Sequence, residues 1–194
     1  IVEQIETVFL YDWYLTTKKS IIKKKYFPNH KKEGSKHLQV AYSGPESVWY
    51  TIKQVFFLMI TNAKKSIFIN SPYFIPDEVL SMALKNAALS GVDVRIVVPA
   101  RSNCKVTYYA SRTYFEELMS AGVKIYEYEK GFLHSKCLIV DEEVATIGTT
   151  NFDVRSLHVN FDINLVLHSQ EDVNNVLKFF RDCLKDSKRI DPKR

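Results

Sequence analysis

An α/β domain built on a mixed β-sheet with helices on both faces is the fold class this sequence predicts, from three observations. Short β-branched runs alternate with longer amphipathic stretches of helical period along most of the chain. Glycines and prolines punctuate the seams, at Gly44, Pro45, Gly91, Pro99 and Gly122. At 194 residues, 46% hydrophobic and 25% charged, the chain can bury a core of its own and is not a disordered polymer.

Taken in order, residues 1–17 read as an amphipathic helix, with Val2, Ile5, Val8 or Phe9, and Trp13 recurring at three-to-four spacing. Residues 18–36 are a basic linker, and a domain follows over 37–190. Its first strand, 38–43, stops at Gly44-Pro45. Pro45 suits a first helical turn, so the next helix is expected to start there and run to about Asn62. A strand over 66–70 precedes the loop Ser71–Asp77 (SPYFIPD), whose two prolines enclose three large apolar side chains. Asp77 is placed to cap a helix that Gly91 terminates. A strand at 92–98, a polar irregular segment at 100–105, a helix at 106–121 and a strand at 123–128 come next. After the central motif the pattern ends with a strand at 161–167 and an amphipathic helix at 171–186.

Charge and cysteine usage narrow the classes. The net charge of +5 is concentrated in residues 18–36, where eight lysines face the single acid Glu33. Such a run is a solvated linker, an anionic-membrane contact or a nucleic-acid patch. The cysteines, Cys104, Cys137 and Cys183, are odd in number and widely spaced, which argues against a disulfide framework or a structural zinc site; reduced, cytosol-facing thiols are the expectation. No metal-ligand spacing is present, so neither a metal nor a cofactor is expected. No run of 18 apolar residues exists, so no membrane-spanning helix is expected within these residues.

The chemistry gathers at Gly131–Asp141 (GFLHSKCLIVD) and Gly148–Ser156 (GTTNFDVRS). Runs 138–140 and 144–147 read as buried strands. In extended backbone Phe132, His134 and Lys136 share one face, and the Gly148 turn would return Asn151 beside His134. A histidine next to a lysine is by itself an ordinary surface pair; the complete spacing H-x-K-x4-D-x6-G-T-x-N is what singles it out. Imidazole, ammonium and carboxamide converging on one point suit a phosphodiester, which needs a nucleophile or acid together with fixed donors to its non-bridging oxygens.

This spacing resembles the HKD signature of the phospholipase D superfamily. The words Leu38–Pro45 (LQVAYSGP), Ser71–Asp77, Ala88–Arg95 (ALSGVDVR), Ala121–Glu129 (AGVKIYEYE) and Gly148–Ser156 resemble bacterial cardiolipin synthases in particular. Members of that family carry two HKD motifs; this sequence has one, and matches the carboxy-terminal half. The resemblance implies a phospholipase D-like domain at 37–190, with residues 1–36 the closing helix of a preceding half plus the linker. It implies conversion of two phosphatidylglycerols into cardiolipin and glycerol through a phosphohistidine, this chain supplying half of the site.

By the same resemblance His134 is a catalytic imidazole, either nucleophile or general acid–base, with the second role favoured by its place in the later half. Lys136 and Asn151 would ligate phosphate oxygens, Thr149 would add a hydroxyl, and Asp162 would accept from His134 Nδ1. Asp141 would be structural, held by backbone or by Arg155 and Ser156. Tyr73 and Phe132 would touch substrate at the rim. His158 and His168 are expected in surface or core roles. Partners implied are an anionic phospholipid, a membrane surface at the cytoplasmic face of a bacterial cell, and either the missing half or a second copy of this chain; nucleic acid is disfavoured. Because the sequence begins at Ile1 it reads as a soluble piece of a longer protein, inactive or weak unless it pairs. The alternatives are a phospholipase or nuclease of the same superfamily, or a non-catalytic half that binds phosphate or membrane.

Overall fold

The computed structural model describes residues 1–28 and 34–191. Part of the basic linker, Lys31, Lys32 and Glu33, therefore lies outside the described residues. Eight strands form one mixed sheet. They are β1 (Leu38–Ser43), β2 (Ser66–Asn70), β4 (Asp93–Pro99), β5 (Lys124–Tyr128), β6 (Cys137–Val140), β7 (Val144–Gly148), β9 (Asp162–Leu167) and β10 (Ser187–Arg189), in the order β1-β9-β7-β6-β2-β4-β5-β10. Strands β2, β4 and β5 run parallel, and the β2–β6, β6–β7, β7–β9 and β9–β1 pairs are antiparallel. The short strands β3 (Phe74–Ile75) and β8 (Phe152–Asp153) pair in parallel outside this sheet.

Helices cover both faces, as expected. Strand β2 shows why its run is continuously apolar: alternate side chains enter different cores. Ile67 and Ile69 pack beneath α2 (Thr51–Asn62), α3 (Glu78–Leu89) and α5 (Phe115–Ser120), with Phe56, Leu84 and Leu118. Phe68 points the other way, where α7 (Gln170–Lys185) lays Val173, Leu177 and Phe180 over Ile139 and Ala145. The Phe68 and Phe180 rings stack with centroids 5.0 Å apart.

Two helix boundaries differ from the sequence reading. The helix expected from Pro45 begins instead at Thr51, after a turn in which Tyr50 takes a left-handed φ of 47°. Its first turn is capped from outside the helix, by the Ser43 hydroxyl accepting Ile52 N–H at 3.1 Å. The stretch expected as one helix over 106–121 is two, α4 (Lys105–Arg112) and α5. Between them the amides of Thr113 and Tyr114 reach back only three residues, and the Thr113 hydroxyl claims the Ala110 carbonyl.

The first helix, α1 (Val2–Thr17), has no buried residue. It meets the domain at β1, through the Tyr11–Tyr42 edge contact at 6.3 Å and the Tyr42 hydroxyl at 3.4 Å from Asp12 Oδ1. No helix among the described residues is long and apolar enough to cross a membrane. The remaining helix, α6 (Val154–His158), follows β8 directly.

Candidate active site

The candidate residues gather at one end of the sheet, around the start of β6, the end of β7 and the start of β9. The extended segment 132–136 is anchored by Leu133, which is buried while its neighbours Phe132 and His134 are exposed. That alternation sets Phe132, His134 and Lys136 on one side. The His134 Nε2 lies 3.2 Å from Lys136 Nζ, the same ammonium donates to His134 O at 2.8 Å, and the Phe132 ring stacks on the imidazole with centroids 5.5 Å apart.

Burial pulls the Lys136 ammonium below its ordinary pKa, and the carboxylates of Asp162 and Asp153 act against that pull. Asp162 and Asp153 are themselves buried, at 6% and 8% exposure. Burial pushes both carboxyls upward; Thr149 and Ser156 oppose it at Asp162, and Ser156 with Arg155 opposes it at Asp153.

The turn between β7 and β9 is held by a close backbone approach. A Cβ on Gly148 would stand 2.2 Å from Ile163 O and 2.1 Å from Asn164 Oδ1, so no larger residue fits without displacing β9. From there Thr149 donates its hydroxyl to Asp162 Oδ1 and accepts Ile163 N–H at 3.0 Å. Thr150 points inward to Asn164 Oδ1 at 2.9 Å, and Asn164 donates on to Thr146 at 2.8 Å. Asn151 donates to the Ser156 hydroxyl at 3.3 Å, as does Asn160, while Ser156 N–H bonds Asp153 Oδ1 at 2.7 Å and starts α6. Two buried acceptors in this cluster, Asn151 Oδ1 and Asp162 Oδ2, have no hydrogen-bond partner among the described residues. Of the two, the Asp162 carboxyl feels the Lys136 charge.

His134 and Lys136 are thus in direct contact, Thr149 and Asp162 are bonded to each other, and Lys136 feels the Asp162 charge. The bond expected from His134 Nδ1 to Asp162 is not made; Asp162 Oδ1 takes the Thr149 hydroxyl instead. Tyr73 stands apart from the imidazole and donates to Asn103 Oδ1 at 2.7 Å.

Asp141 serves the backbone. Its two oxygens accept the N–H groups of Lys64, Lys65 and Ser66 at 2.8, 2.6 and 2.8 Å, and not Arg155 or Ser156. Burial opposes its ionisation, but these three amides outweigh that and hold the carboxyl below its usual range. A depressed folded pKa means the contribution is complete above the unfolded value of about 4 and is lost as pH falls through the folded one. Asp141→Asn is therefore expected to lower stability at neutral pH by about 1–2 kcal/mol, with the gap to the parent protein closing below pH about 4. Denaturant unfolding at the two pH values measures it; a gap that persists in acid would remove the charge from the account.

Sequence reasoning did not single out Asp153, Asn160 or Asn164 as members of this cluster, and gave Ser156 only to Asp141. The D-x-x-S spacing of Asp153 and Ser156 at a helix start was a usable signal. It also passed over a cluster behind β3, where Asp77 joins Lys53 Nζ at 2.6 Å and His158 Nε2 at 3.0 Å while capping α3 through Leu80 N–H. His168 pairs with Gln39 at the far end of β9.

The family model described as "Cardiolipin synthase, PLD-like domain" matches residues 57–184, well over half of the chain. The chain belongs to this family of phospholipase D-like domains. Among curated relatives of the PLD-like domain, a cardiolipin synthase of Geobacillus thermodenitrificans is 47% identical over 98% of this chain and 38% of its own length. One from Halalkalibacterium halodurans is 48% identical over 97% of this chain and again 38% of its own length. The chain thus spans under two fifths of the relatives it matches. In fold, this PLD-like domain is similar to the phospholipase D family member Nuc from Salmonella typhimurium. The TM-score is 0.70 at 23% identity, with 80% of this chain and 99% of Nuc covered.

Proposed function

We propose that this chain is one half of a cardiolipin synthase-type phosphatidyltransferase. The reaction joins two phosphatidylglycerols into cardiolipin and glycerol, and this half supplies His134, Lys136, Thr149, Asn151 and Asp162. The observation that carries the reading is the His134–Lys136 pair, with imidazole and ammonium 3.2 Å apart and Lys136 lining a common pocket with Thr149, in a chain nearly half identical to cardiolipin synthases.

In the proposed chemistry an imidazole nitrogen attacks the phosphorus of one phosphatidylglycerol. The bond from phosphorus to the head-group glycerol oxygen breaks, and a histidinium gives that oxygen its proton. The terminal hydroxyl of the second phosphatidylglycerol then attacks the phosphatidyl-histidine, passing its proton to the now neutral second histidine as the P–N bond breaks. Two histidines are needed and this chain contributes one of them, so the second comes from the other half or from a second copy of the chain. Lys136 neutralises a non-bridging oxygen as a point charge and Asn151 offers a neutral donor. Thr149 and Asp162 act on placement, their mutual bond tying the turn to β9.

The test supplies full-length protein with phosphatidylglycerol vesicles and follows cardiolipin and free glycerol. Equal amounts of both are expected; release of phosphatidic acid and glycerol without cardiolipin would move the assignment to a hydrolase, and no turnover of the lipid would end it.

A further inference from the structure

Transfer to a phospholipid acceptor poses a binding problem that hydrolysis does not. The acceptor keeps its own anionic phosphodiester, three carbons from the attacking hydroxyl, and that charge must rest near the imidazole without occupying the reacting position. Next to His134 the structure has a place for it. Phe132, whose ring stacks on the imidazole, is also the wall of an open basin of about 500 Å³ lined by Arg101, Ser102, Asn103, Glu129, Lys130 and Gly131. The basin is thus one aromatic ring away from the reacting centre.

Its walls are held in place. Ala100 N–H bonds Tyr128 O at 2.9 Å, Cys104 N–H bonds the Ser102 hydroxyl at 3.2 Å, and Asn103 is fixed by the Tyr73 hydroxyl at 2.7 Å. Phe132 thus leads from the imidazole into the basin, and Tyr73 supports its far wall through Asn103. A Cβ on Gly131 would meet nothing within 4 Å, so the approach over it is open. Among the described residues the Arg101 guanidinium has no ion pair or hydrogen bond. Lys130 is engaged only by Asp186, at 3.2 Å in an exposed pair of the kind that is worth little and is readily exchanged. Arg101 and Lys130 stand against Glu129 within the lining, with Asp186 beyond it sharing Lys130. So small a positive excess suits a singly charged phosphodiester better than a doubly charged phosphomonoester, and a guanidinium can grip two phosphate oxygens at once.

We propose that the Arg101–Lys130 basin is the subsite for the unreacted phosphodiester of the acceptor phospholipid. This deepens the phosphatidyl-transfer reading and rests on it. The experiment gives full-length protein phosphatidylglycerol vesicles containing 1-butanol, so that a charged lipid and a neutral alcohol compete for the same phosphatidyl-enzyme. Arg101→Ala is expected to lower the ratio of cardiolipin to phosphatidylbutanol about tenfold, the loss of a charge-assisted contact. Arg101→Lys should restore part of the ratio and Lys130→Ala should lower it less. A parallel fall of both products, as a general weakening of membrane contact or of folding would give, overturns the subsite, and so does an unchanged ratio. Wild-type protein that forms neither product overturns the transfer reading itself, a result distinguishable because it appears before any substitution is made.

Discussion

His134→Gln in the full-length protein is expected to lower the rate of cardiolipin formation by about 10²–10⁴-fold, the range an acid–base or nucleophilic imidazole commands. The side chain is exposed, and among the described residues its ring interacts with Phe132 and Lys136. Stability should therefore stay within about 0.5 kcal/mol of the parent, as for other surface substitutions, and the loss can be read as chemistry. A donor with an acidic leaving group separates the two possible roles. If His134 protonates the departing glycerol, a phosphatidyl ester of p-nitrophenol needs no such proton and should recover most of the rate. If His134 is the nucleophile, the better leaving group rescues little. A loss under tenfold with the natural donor would take His134 out of the site.

Gly148→Ala is expected to be as damaging, for a different reason. The added methyl would lie 2.2 Å from a backbone carbonyl and 2.6 Å from Asn164 Cα, and neither can rotate away as a side-chain end could. Strand β9 must then move from β7, which separates Thr149 from Asp162 and unpairs the buried Thr150–Asn164–Thr146 network. A destabilisation of about 3 kcal/mol or more follows from overpacking and broken buried hydrogen bonds together. Thermal unfolding measures it, and a variant within about 1 kcal/mol of the parent would show that the two strands do not need this approach.

Much of this architecture can be read along the chain because it depends on local periodicity. Residues 66–70 and 137–140 are short, apolar and buried on both faces, and both are strands. The alternation that sets Phe132, His134 and Lys136 on one side is a property of extended backbone alone. What escapes the sequence is whatever depends on a distant partner. The start of α2 was misplaced because its cap, Ser43, belongs to the preceding strand. Asp141 looks like part of the motif, yet the amides it binds are those of Lys64, Lys65 and Ser66, brought to it by the pairing of β2 with β6. Thr149 met Asp162 through the register of β7 against β9, which no spacing rule encodes. The same register carried Asp162 to Thr149 and not to the imidazole.

The position of β1 in the sheet has a consequence for how the chain comes off the ribosome. It is made well before β9, yet β9 is its one neighbour in the sheet among the described residues, with Leu38 opposite Leu167 and Ser43 opposite Asp162. Until β9 has emerged, an unpaired edge is exposed on the nascent polypeptide, and closing so long a loop is a slow event. The end of the sheet that carries the candidate site needs the first residues of β9, and is consequently among the last parts to be assembled. The interval before that is when a nascent chain of this fold is most exposed to pairing with the wrong edge.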